Sequence, residues 1–202
     1  MKMILKIIFS LATAGALVAG APLAALGQTG QLSDRDQALR DFFPDADAVT
    51  PRVVEITPEL AAQLEKDLGY RPALPQYTVY VGSKNGAPLG YAIVDDEKGM
   101  HEPITFAVLV GPDGAIRQQQ ILVYREPAGD GVESSRFRRQ FIGKTVKDPI
   151  KDGVDLTIVS GATISSHSMA VGVKRAVAIV TEGVIRAAGA TASSTGPVPH
   201  GG

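Results

Sequence analysis

The 202-residue chain has no cysteine and no tryptophan, and only 5% of its residues are aromatic. Without cysteine there is no thiolate to hold an iron–sulfur cluster or a Cys-type zinc site, no attachment point for c-type haem and no disulfide. Any redox chemistry would therefore have to reside on an organic group. A surplus of charge is also lacking: 20 basic and 21 acidic residues leave a formal net charge of −1. That argues against a nucleic-acid partner, because phosphate neutralisation needs a clustered excess of Lys and Arg. The histidines His101, His167 and His200 are scattered without metal-ligand spacing, so no metal site is expected. What is present is an ordinary globular composition, 45% apolar and 20% charged, with a length that suits a single core.

The first stretch, residues 1–27, reads as an export segment. Lys2 and Lys6 precede an uncharged run over residues 7–27 rich in Leu, Ala, Val and Gly. Ala25-Leu26-Gly27 puts small residues at the positions a signal-peptide cleavage site wants, and the run is also long enough for an uncleaved membrane anchor. Either way the rest of the chain is expected to be periplasmic or otherwise extracytoplasmic.

Residues 28–75 read as an N-terminal helical segment. Residues 34–43 suggest a short helix ending before Pro44, and Thr57-Pro58-Glu59 a second helix start. In that second helix Leu60, Leu64 and Leu68 share a face before Gly69. From Gln76 the period changes to alternation. Residues 77–81 and 89–94 flank the hairpin turn Asn85-Gly86, and residues 105–110 and 115–124 flank Gly111-Pro112-Asp113-Gly114. Two consecutive hairpins predict an α+β fold with a mainly antiparallel sheet, flanking helices and a long C-terminal helix, and no Gly-x-Gly-x-x-Gly is present. Residues 136–141 read as a short amphipathic helix that buries Phe137 and Phe141 beneath a solvated basic face. Met169, Val173, Val177, Val180 and Val184 form the apolar stripe of the long helix over residues 165–187, and residues 189–202 read as a disordered tail.

The chemistry concentrates in residues 155–166, where a strand-like apolar run and a tight turn of small residues bring a cluster of hydroxyls to the start of the long helix. The free N–H groups and dipole of a helix's first turn favour a phosphate, and Gly161 and Ala162 leave room for it beside the Thr163 hydroxyl. The competing reading is a set of ordinary Ser and Thr caps. A hydrolase built on Ser165 or on Ser166 and His167 ranks last, because neighbours on a helix face different ways.

Ser160-Gly161-Ala162-Thr163-Ile164-Ser165 resembles the flavinylation motif Ser/Thr-Gly-Ala-Thr-x-Ser/Thr of the extracytoplasmic FMN-binding domain family. That family includes the G subunit of Rnf complexes, the C subunit of sodium-pumping NADH:quinone oxidoreductase and stand-alone exported proteins. The similarity covers residues 76–187, within an FMN-binding domain expected over 76–188, and includes Gly90-Tyr91, Gly111-x-Asp113-Gly114, Tyr124-Arg125-Glu126-Pro127 and Phe141-x-Gly143-Lys144. The resemblance implies FMN joined by a phosphoester to Thr163 by a separate FMN transferase using FAD. It also implies cofactor-binding roles for Ser160, Gly161, Ala162, Ile164, Ser165 and Glu126. The implied protein is an electron carrier between membrane-associated redox partners more than an enzyme with its own substrate; the alternative is a flavin-free periplasmic sensory or ligand-binding module of the same fold. Where the family's respiratory members carry a Glu-Thr pair, Glu126 is followed here by Pro127. Tyr124, Phe137 and Phe141 are candidates for stacking on the flavin or for core. The related letters Gly189-Ala190-Thr191 are read as a chance repeat, with Ala188 in place of the leading hydroxyl.

Overall fold

The computed structural model describes residues 33–189. The expected leader at 1–27, the tail beyond Gly189, Thr191 and His200 lie outside the described residues.

Five strands, β1 (Ala48–Glu55), β2 (Gln76–Lys84), β3 (Ala87–Lys98), β4 (Pro103–Val110) and β5 (Ile116–Val123), form one sheet in sequence order. Every neighbouring pair is antiparallel. The fold is α+β, as the hairpin signals predict. At the β2–β3 turn Asn85 and Gly86 take φ of 51° and 79°, the two left-handed positions that this dipeptide supplies. The register places Tyr77, Val79, Ile93, Phe106, Val108 and Ile116 on one buried face.

Helices cover both faces. α1 (Asp34–Phe42) is capped by Ser33, whose side chain accepts the Asp36 N–H. It buries Leu39 and Phe42, with Phe43, against Ala92 and Ala107 of the sheet. Gly82 gives that contact its closeness, because a Cβ there would overlap the Phe43 ring. On the other face α2 (Pro58–Leu68) starts from Thr57, which accepts the Leu60 N–H, and stops at left-handed Gly69. Its Leu64 is fully buried, with Leu60 and Leu68 half-buried beside it. A short helix, α3 (Ser135–Arg138), follows β5 and buries Phe137.

α4 (Thr163–Val180), continued by a π-helical stretch over Thr181–Arg186, lies across the same face as α2. Met169, Val173, Val177, Val180 and Val184 are all buried, so the stripe read from their spacing is the core face. Each such side chain contributes roughly 1.5–3 kcal/mol of burial. The helix is tied to β3 by Arg175, whose Nη2 lies 2.7 Å from Asp95 Oδ2 and whose Nη1 lies 2.5 Å from Glu97 Oε2. Burial pushes the Asp95 carboxyl up, with the Arg175 charge pulling it back.

Two expectations change. The N-terminal segment is not purely helical: β1 adds to the sheet edge beside β2, hidden in the sequence by Pro51, a residue an edge strand tolerates. The apolar run after Asp155, expected to be strand-like, is irregular over residues 157–159. Asp155 draws the chain before them into a loop, accepting the Lys151 N–H at 2.7 Å and pairing with Lys144 Nζ at 2.7 Å.

Candidate functional site

The site begins where the irregular segment turns into α4. Gln140 holds the approach: its Oε1 accepts the Thr157 N–H at 2.7 Å and its Nε2 donates to the Thr157 carbonyl at 3.2 Å. Gly161 then adopts φ 78°, with open space where a side chain would stand. This left-handed residue turns the chain into the helix, a conformation glycine reaches at little cost.

Ala162 is the N-cap of α4, and no side chain caps it. The first helical bond runs from the Ser166 N–H to the Ala162 carbonyl at 2.8 Å. The N–H groups of Thr163, Ile164 and Ser165 therefore precede the intrahelical ladder and face outward at the positive end of the dipole. The hydroxyls near this terminus are not its caps, which removes the reading of the cluster as ordinary capping. Ser166 Oγ, buried, accepts the Val159 N–H at 3.2 Å. Ser168 Oγ donates to the Lys98 carbonyl at 2.7 Å. Thr163 itself is exposed.

A cleft of about 340 Å³ opens at this terminus, within the size range of small-molecule pockets. Three stretches line it: residues 161–165, residues 126–129, and Met100 with His101 from the β3–β4 connection. Of the residues singled out from sequence, Glu126, Gly161, Ala162, Thr163, Ile164 and Ser165 meet here. Ser160 does not; it borders a neighbouring groove with Arg136 and Gln140. Met100, Pro127, Ala128 and Gly129 carried no signal in the sequence as ligand neighbours, because they come together only through the sheet's turns.

The walls are fastened by hydrogen bonds. Tyr124 OH donates to the Ala128 carbonyl at 2.7 Å and sits 2.9 Å from Ser165 Oγ. Burial pushes the Tyr124 phenol up, with Ser165 opposing and Glu126, Asp130 and Glu133 adding to the rise. Glu126 Oε1 accepts the N–H groups of His101 at 2.8 Å and Glu102 at 3.2 Å. Phe137 and Phe141 pack edge to face with centroids 5.4 Å apart and are fully buried, so they are core and not stacking partners. His167 Nδ1 pairs with Asp152 at 3.0 Å while Ser166 is bonded to Val159, and the two do not form a nucleophile–base pair.

An outward-facing helix terminus, a turn of small residues and an exposed hydroxyl in one cleft suit a phosphorylated ligand. Residues 99–178 match the model of the FMN-binding domain family. Over that segment the chain is similar to FMN-binding domains.

The chain is 32% identical over 109 residues to the G subunit of the proton-translocating ferredoxin:NAD(+) oxidoreductase complex of Clostridium ljungdahlii, covering 50% of this chain and 59% of that relative. The chain thus matches less than two thirds of the relative's length. A crystal structure of Shewanella oneidensis NqrC aligns over 76% of this chain and 83% of its own, at 21% identity and a TM-score of 0.45. The matched FMN-binding segment contains the cleft lining in full, from Met100 to Ser165. Among the described residues no cluster of metal-ligating side chains occurs, and no helix is long and apolar enough to cross a membrane.

Proposed function

We propose that this chain binds FMN through a phosphoester on Thr163 and serves as an exported electron carrier. The observation that carries the reading is the exposed Thr163 hydroxyl at the first position of a helix whose N-terminus no side chain caps. The open N–H groups of that turn receive the phosphate oxygens, and the dipole favours the remaining negative charge.

The attachment balances without a metal or base from this chain. Thr163 Oγ attacks the FMN-side phosphorus of FAD, the pyrophosphate P–O bond breaks, AMP leaves and the hydroxyl proton passes to base. An FMN transferase supplies the metal and base. An exposed acceptor hydroxyl is what such an external enzyme requires. Once in place, the isoalloxazine supplies reversible electron transfer, a capacity the side chains of a cysteine-free protein lack.

The chain's own residues bind and orient. Gly161 and Ala162 allow the backbone to approach the phosphate, Ser165 is locked by Tyr124, and the cleft walls limit ring motion. The related C. ljungdahlii protein belongs to a redox complex, which supports membrane electron-transport proteins as donors and acceptors. The basic, then apolar, start of the chain supports an extracytoplasmic location. The test is co-expression with an FMN transferase: the purified chain gains the mass of FMN less water, retained after denaturation. Colourless protein of unmodified mass supports the flavin-free binding module instead.

A further inference from the structure

Resting on that reading, we infer that the β3–β4 turn is the wall against which the isoalloxazine ring lies. Met100 and His101 are its contacts, and Glu126 is a positioning residue that acts through this turn.

A ring tethered by its phosphate at Thr163 must leave the helix mouth along the cleft. The motif stretch is occupied by the phosphate end, and residues 127–129 offer a proline, an alanine and a glycine. The apolar area left for a flat ring is on Met100, 60% exposed, and Ile164, 48% exposed. Two large apolar side chains left open in one cleft are what a planar aromatic ligand covers. His101, in the same lining, brings an imidazole that can donate to or accept from the polar edge of the ring.

Met100 and His101 reach the cleft because Glu126 gathers the turn beneath them. Its Oε1 takes the N–H groups of His101 and Glu102, and the Gly99 N–H closes the turn on the Glu102 carbonyl at 3.1 Å. Gly99 has to be glycine, because a Cβ there would overlap Glu126 Oε1 and the Glu102 carbonyl. Partial desolvation pushes the Glu126 carboxyl up, but the N–H groups of His101, Glu102 and Met100 outweigh it and hold it below the usual carboxylate range. The clamp is therefore set at neutral pH, and Glu126 serves the ring through the turn it holds.

The test uses the full chain co-expressed with an FMN transferase. Covalent load is read by intact mass; ring environment is read by flavin fluorescence, visible circular dichroism and midpoint potential. Met100→Ala, Glu126→Ala and Glu126→Gln are each expected to keep the wild-type covalent load. Met100→Ala and Glu126→Ala lose the induced dichroism, and their fluorescence rises toward that of free FMN. Glu126→Gln, whose amide oxygen still accepts both N–H groups, keeps most of the wild-type signal. Wild-type ring signals in Met100→Ala overturn the inference, as does a Glu126→Gln as impaired as Glu126→Ala. A wild-type chain with no adduct defeats the tethering reading instead. The ring wall is then judged by titrating free FMN, where it stands only if Met100→Ala binds more weakly than wild type.

Discussion

The Tyr124 hydroxyl meets Ser165 Oγ at 2.9 Å while donating to the Ala128 carbonyl at 2.7 Å. Since the phenol proton is committed to Ala128, Ser165 is the donor in that contact. One phenol thus joins β5's exit, the wall of residues 126–129 and the first turn of α4. Tyr124→Phe removes both bonds and leaves the Ser165 hydroxyl, 5% exposed, without its acceptor. Urea denaturation should show a loss of about 1–3 kcal/mol, and a variant as stable as wild type contradicts the role.

Gly129 sits against that pair. It has φ 92°, and a Cβ there would lie 2.7 Å from both Ser165 Oγ and Tyr124 OH. Gly129→Ala should therefore cost more than the ~1 kcal/mol of a left-handed alanine alone, measured as a lower urea midpoint. It should also weaken the Tyr124–Ser165 contact, visible as an upfield move of the Ser165 hydroxyl-coupled resonances.

Arg175→Leu leaves Asp95 and Glu97, whose side chains are 10% and 16% exposed, without their guanidinium. Breaking one side of a buried ionic cluster costs ~3–5 kcal/mol. The Asp95 carboxyl already lies above its ordinary value of 3.8 through burial, and removing the opposing positive charge raises it further. A raised folded-state value gives stability that is present below the ordinary value and lost as pH rises through the folded one. The deficit of Arg175→Leu relative to wild type should accordingly shrink on acidification and be largest at neutral pH, as followed by thermal melts across pH.

Glu126 has the opposite sign. Its carboxyl is held below its ordinary value of 4.5, so its contribution is present above that value and lost as pH falls through the lowered one. The amide protons of His101 and Glu102 should inflect below pH 4.5 in an NMR titration, and the inflection should vanish in Glu126→Gln. Inflection above the ordinary value contradicts the clamp.

The hairpins were legible because their turns carry backbone-specific residues: Asn85-Gly86 could hardly continue a strand. The α4 core stripe was legible from spacing alone. β1 was not, because Pro51, Arg52 and Val53 are all exposed on an edge, where the alternation that marks a half-buried strand is absent. The apolar letters of residues 156–159 suggested a strand whose partners never arrive, because Asp155 spends its oxygens on Lys144, Ile150 and Lys151. The motif half of the cleft could be read from consecutive residues. The part formed by Met100, Ala128 and Gly129 could not, since it depends on a carboxylate at 126 reaching across to the turn at 99–102.

Peptide mass mapping of the wild-type chain, Thr163→Ala and Thr191→Ala, each co-expressed with an FMN transferase, decides whether the hydroxyl at the mouth of α4 carries the flavin. An adduct of FMN less water on the wild-type peptide containing Thr163, kept in Thr191→Ala and absent from Thr163→Ala, is the predicted result. An adduct that survives Thr163→Ala, or an unmodified wild-type peptide from a host with an active transferase, contradicts it.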